Sequence, residues 1–197
     1  MKKIILITGG QRSGKSEYAE RLALSLSDNP VYLATAHVWD EEFRQRVLLH
    51  QERRGPQWTN IEEERLLSRH QLPGRVILID CLTLWLTNLW YADHGDGSDA
   101  DHGDGSDDPI SCGNGITQNR PHDPVAPTLE TAKAEFDRFT SQDATFIFVT
   151  NEIGLGGVSA NAVQRRFTDL MGWMNQYVAS QANEVILMVS GIPVKIK

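Results

Sequence analysis

Cysteine is scarce in this chain. Cys81 and Cys112 are the whole complement, too few for a disulfide framework and at no zinc-binding spacing. Cationic residues are outnumbered: 19 Lys and Arg face 26 Asp and Glu, for a net charge of −7. No basic stripe offsets that acidity, which excludes a general nucleic-acid binder. Long apolar runs are missing too. The N-terminal one, Ile4–Thr8, stops at glycines after five residues, short of both a membrane span and a secretory signal. The expected protein is cytoplasmic, with no membrane span and no nucleic-acid partner. At 197 residues, 40 % of them apolar, the chain suits a single domain with a proper core.

What the sequence does contain is a phosphate loop. Gly9–Ser16 reads GGQRSGKS and fits G-x-x-x-x-G-K-[ST] with Gly9, Gly14, Lys15 and Ser16 in the fixed positions. A β-branched apolar run, Lys3–Thr8, precedes it and an amphipathic pattern, Ser16–Ser27, follows. Between a strand and a helix, such a loop turns backbone N–H groups inward, and the helix N-terminus adds partial positive charge. Gly9, Gly10, Gln11, Arg12, Ser13, Gly14, Lys15 and Ser16 are therefore candidate nucleotide-binding residues. Lys15 would reach the β- and γ-phosphates, and the Ser16 hydroxyl would ligate Mg²⁺.

Further strands are expected at Pro30–Thr35, Arg75–Asp80, Thr145–Thr150 and Glu184–Ser190, with a short edge strand at Val194–Lys197. Helices are expected at Asp40–Arg54, about Ile61–His70, Leu82–Tyr91 and Ala160–Gln181. In the last, Val163, Phe167, Leu170, Met171, Met174 and Val178 form one apolar stripe. Alternating helices and near-continuously apolar strands predict an α/β fold of the P-loop NTPase type, a mostly parallel sheet flanked by helices. Ligands of such sheets bind beyond the carboxyl ends of the strands, where the phosphate loop, Thr35, Asp80 and Asn151–Glu152 would converge.

One segment departs from this pattern. Asp93–Ala100 (DHGDGSDA) recurs almost unchanged as Asp101–Asp108 (DHGDGSDD), and an irregular stretch continues to about Pro127. Its aspartates lack the order and terminal Glu of an EF-hand loop. Its composition predicts a flexible acidic insertion at about 93–127, grown by local duplication, with His94 and His102 as repeat copies.

Asp80 closes an apolar strand where a carboxylate would hold Mg²⁺, directly or through water; a strand-terminal turn residue is the plainer alternative. His50 shares its helix with Arg46 one turn before and Arg53 and Arg54 one turn after. Guanidinium neighbours keep an imidazole neutral, as a nucleophile for phosphorus must be, and can hold phosphate oxygens. Spacing alone equally suits a solvated histidine on a basic helix.

A wider resemblance bears on that choice. GGQRSGKS, YLATA, DEEFRQRV, His50 separated from Trp58 by seven residues with Glu62 beyond, DCLTLWLTN, TNEIGLG, RRFTDLMGWMNQ and the terminal SGIPVKIK occur in order. Over about 3–92 and 130–197 the chain resembles the bifunctional adenosylcobinamide kinase/adenosylcobinamide-phosphate guanylyltransferases of cobalamin biosynthesis. The resemblance implies two reactions. A nucleoside triphosphate, ATP or GTP, would phosphorylate adenosylcobinamide; GMP from GTP would then pass to adenosylcobinamide phosphate through a covalent histidine–GMP intermediate. It implies His50 as the nucleophile beside Lys15. It also implies nucleotide contacts at Gly9–Ser16, Ala34, Thr35, Ala36, Gln51, Glu52, Arg53, Arg54, Glu62 and Asp80, Mg²⁺ at Ser16 and Asp80, and a homo-oligomer, a trimer by family analogy. Two positions depart from the family's usual pattern: Gln11 replaces a small residue, and Asp80 stands where some relatives have Glu.

Two other readings share the loop. A kinase of another small metabolite would use His50 only to bind phosphate and would acquire no label from α-labelled GTP. A nucleotide-responsive binding module would transfer no phosphoryl group to a corrinoid.

Overall fold

The computed structural model describes residues 1–37, 55–94 and 125–197. They build one seven-stranded sheet: β1 (Lys3–Gly9), β2 (Val31–Ala34), β3 (Thr59–Glu62), β4 (Val76–Asp80), β5 (Thr145–Val149), β6 (Glu184–Val189) and β7 (Ile192–Lys195). Its order is β3-β2-β4-β5-β1-β6-β7. Every neighbouring pair is parallel except β6–β7, an antiparallel hairpin. The described helices are α1 (Lys15–Leu26), α2 (Leu82–His94), α3 (Ala126–Thr140) and α4 (Ala162–Gln181). The expected α/β class and mostly parallel sheet are those observed.

Alternation along the strands divides the core between the sheet's two faces. Ile4 and Leu6, with Ile77, Ile79, Phe146 and Phe148, pack on the side that carries Trp85, Phe136 and Met174 from α2, α3 and α4. Ile5 and Ile7, with Leu78, Ile147 and Val149, pack on the side of α1, which presents Ala19 and Ala23. Both alanines are fully buried, and such small side chains bring the helix backbone close to the sheet. On the opposite face aromatic rings fill the space. Phe136 and Phe148 lie 5.1 Å apart between centroids, as do Phe139 and Phe146, a separation at which tilted rings attract.

Three expectations need correction. The segment expected as a helix at Ile61–His70 is the end of edge strand β3 followed by a single 3₁₀ turn, Leu67–Arg69. Glu63 Oε1 accepts the N–H groups of Arg65 at 3.1 Å and Leu66 at 2.9 Å, a local side-chain cap that competes with helical hydrogen bonding. Edge strand β7 begins at Ile192 rather than Val194. The ends of the acidic insertion are helical: Asp93 and His94 close α2, and Ala126 and Pro127 open α3. The Thr128 hydroxyl donates to the Asp93 carboxylate, so the two flanks meet side by side. Its remaining residues, 95–124, and the helix expected at Asp40–Arg54 lie outside the described residues.

Candidate active site

Strand register brings the predicted residues to one rim. Glu62 of β3 pairs with Ala34 of β2, and Ala34 pairs with Asp80 of β4. Asp80 pairs with Val149 of β5, and Val149 with Ile7 of β1. Because these strands are parallel, that rung is the carboxyl edge. Thr8–Ser16 continues beyond it from β1, and Thr150–Glu152 from β5.

The loop's geometry depends on glycine at its entry. At Gly9, with φ +149°, a Cβ atom would lie 2.5 Å from the Met188 carbonyl oxygen; no side chain fits there. Gly14 takes φ +91° immediately before α1, a left-handed turn at small cost for glycine. The Ser190–Gly191 turn of the β6–β7 hairpin braces the loop, and the Gly191 N–H donates to the Ser13 carbonyl at 3.0 Å.

Lys15 is only 7 % exposed. Its ammonium donates to the Gly10 carbonyl at 2.6 Å and to Ser13 Oγ at 3.4 Å. Burial holds its pKa below the ordinary lysine value, against the opposing pull of Cys81 and Asp80. A buried cation facing few compensating charges favours an anion arriving at the loop.

Asp80 is oriented by β2: the Tyr32 hydroxyl donates to its Oδ2 at 2.8 Å. Thr35 ties the same two strands. Its Oγ1 donates to the Cys81 carbonyl at 2.8 Å and accepts the Cys81 N–H at 2.9 Å. Its carbonyl accepts from Asn88 Nδ2 at 2.7 Å. Thr35 is thus a fully buried clamp, with half-buried Ala34 and Ala36 on either side and Glu62 exposed at the next strand. Burial, then the nearby Asp80 charge, pushes the Cys81 thiol up to about 12.

The sequence profile of the family described as "Cobinamide kinase / cobinamide phosphate guanyltransferase" matches residues 5–196. The chain belongs to this family. The "Bifunctional adenosylcobalamin biosynthesis protein CobU" of Escherichia coli is 34 % identical over 98 % of this chain and 99 % of its own. The CobU protein of Salmonella typhimurium is 35 % identical, with the same coverage of each. The CobP protein of Pseudomonas aeruginosa is 34 % identical over 98 % of this chain and 96 % of its own. Among solved structures, a "prototypical ATPase from the type III secretion system of pathogenic bacteria" superposes with a TM-score of 0.39 at 11 % identity, covering 94 % of this chain and 50 % of that one.

Among the described residues, Gly9 to Ser16, Ala34 to Ala36, Glu62 and Asp80 share one edge. His50, Gln51, Glu52, Arg53 and Arg54 lie outside the described residues. The donor set also bears on a metal. Ser16 and Asp80 offer oxygen ligands, and the described residues contain no group of three or more His, Cys, Asp or Glu that could hold an ion by themselves. Two oxygens completed by substrate phosphates and water is how Mg²⁺ is usually held, so the residues present fit it. Sequence reading assigned no role to Tyr32, Gly191 or Glu152. For Glu152 the signal was present, since it lies in the TNEIGLG motif at the expected rim.

Proposed function

We propose that this chain phosphorylates the aminopropanol hydroxyl of adenosylcobinamide with a nucleoside triphosphate and then guanylylates the product to adenosylcobinamide-GDP. The observation that carries the proposal is family membership over residues 5–196, joined to a phosphate loop that buries its lysine. Loop N–H groups and Lys15 bind the triphosphate and offset charge on the transferred group. Ser16 and Asp80 would hold Mg²⁺, which when bound neutralises phosphate charge. Ala34, Thr35, Ala36 and Glu62 border the nucleotide at the β2–β3 end of the rim.

In the second reaction His50 is the nucleophile. An imidazole nitrogen forms a bond to the α-phosphorus of GTP, and the bond to pyrophosphate breaks. The GMP then passes to a phosphate oxygen of adenosylcobinamide phosphate, restoring His50. The covalent stage divides one difficult displacement into two easier ones. Support comes from the position of His50, seven residues intervening before Trp58, and from its neighbours Arg46, Arg53 and Arg54, with Gln51 and Glu52 beside them at the nucleotide. We take the chain as one nucleotide-binding domain carrying an acidic insertion, acting in the cytoplasm as a homo-oligomer, a trimer by family analogy. No described helix is long and apolar enough to cross a membrane.

Product analysis tests the proposal. With adenosylcobinamide and ATP or GTP, mass spectrometry should find adenosylcobinamide phosphate, and with GTP also adenosylcobinamide-GDP. A corrinoid left unmodified by both nucleotides would refute it.

A further inference from the structure

Glu152 follows β5 at the rim, in the gap between Asp80 at the end of β4 and the phosphate loop at the end of β1. Its backbone N–H donates to the Gly9 carbonyl at 3.2 Å, which fixes it against the entry of the loop. Its carboxylate is held by one oxygen only. Oε1 accepts from the Thr8 hydroxyl at 2.8 Å and from Asn175 Nδ2 at 3.3 Å. Asn175 is itself immobilised, accepting from Thr150 Oγ1 at 2.7 Å and donating to the Asn151 carbonyl at 3.1 Å. Oε2 carries no hydrogen bond among the described residues.

A half-buried carboxylate with one oxygen locked and the other uncommitted, beside a phosphate loop, has the form of a proton acceptor for a phosphoryl acceptor. The other rim carboxylates suit that task less well: Glu62 lies at the far β3 edge of the sheet, and Asp80 sits where the cation is expected. Phosphoryl transfer to an alcohol needs a group that orients the hydroxyl and takes its proton, a task that kinases give to a carboxylate.

We propose that Glu152 is the general base of the kinase reaction, an assignment that rests on the function proposed above. As the alcohol oxygen bonds to the γ-phosphorus, its proton passes to Glu152 Oε2. The bond from the γ-phosphorus to the β,γ-bridging oxygen breaks, and the nucleoside diphosphate leaves with that electron pair. Thr8 and Asn175 keep the carboxylate in place, and the proton is afterwards released to water.

The test is Glu152→Gln, whose amide oxygen can still accept from Thr8 and Asn175 while the amide nitrogen cannot take a proton. The kinase kcat should fall roughly 10²–10⁴-fold, the range of general-base contributions, with the KM for nucleotide within about threefold of wild type. A cobinamide whose aminopropanol bears a trifluoromethyl group has a more acidic hydroxyl. With it, the deficit of the variant should shrink at least tenfold, as loss of a brace alone would not produce. A kcat within a few-fold of wild type would overturn the assignment, as would a deficit equal for both acceptors. Wild-type protein assayed alongside separates the two claims: if it phosphorylates no cobinamide, the function fails first.

Discussion

Tyr32 of β2 donates its hydroxyl to Asp80 of β4 across 2.8 Å, so the rim carboxylate is aimed by the neighbouring strand. The tyrosine is nearly buried, with its ring edge-on to Trp58 at 5.8 Å. Tyr32→Phe keeps that packing and deletes one hydrogen bond to a carboxylate. It should cost about 1–2 kcal/mol, toward the low end for such bonds because Asp80 is partly hydrated. The kinase rate should fall severalfold as Asp80 loses its orientation. Urea unfolding read beside steady-state kinetics checks both.

Lys15 makes an opposite prediction for stability and activity. Its folded-state pKa is lowered by burial, so the folded chain holds this proton less tightly than the unfolded one. Between the two pKa values the unfolded state binds more protons, and stability rises with pH there. At neutral pH the buried ammonium is a cost. Lys15→Met should abolish phosphoryl transfer while leaving the melting temperature at pH 7 equal to or above that of wild type. Any advantage should narrow as pH climbs toward the ordinary lysine value of about 10.4. Thermal melts of both proteins across pH 7 to roughly 10 test the sign.

The Cys81 thiol, buried beside Asp80 and pushed up to about 12, should be inert in the folded protein, since the thiolate is the reactive form. In a Cys112→Ser background, a disulfide reagent at pH 8 should report no thiol until denaturant is added. Labelling at native rates comparable to a free cysteine would contradict the burial of the β4–α2 junction.

Most of the sheet was legible because parallel strands buried on both faces read as apolar runs, as KIILIT, RVILID, TFIFVT and EVILMVS do. The phosphate loop was legible because its glycines and lysine meet a geometric need that few other residues satisfy. β3 was not. Its four residues, Thr-Asn-Ile-Glu, contribute one apolar side chain, and the charged run after it resembles a polar helix until Glu63 caps the backbone locally. α3 was missed for a different reason: it follows the irregular insertion directly, although Leu129, Ala132, Phe136 and Phe139 carry its buried stripe. The rim residues emerged only in part. Asp80 is announced by its strand, whereas the support given by Tyr32, Thr8 and Asn175 arises from contacts between residues 23 to 144 positions apart, which no local pattern records.

The central claim is that one chain both phosphorylates a corrinoid and carries GMP on His50. The most direct measurement is intact mass after incubation with GTP and Mg²⁺, beside the His50→Ala variant. A GMP-sized adduct on wild type and none on the variant is the predicted result. No adduct on either protein, or an adduct that persists in the variant, would contradict the account.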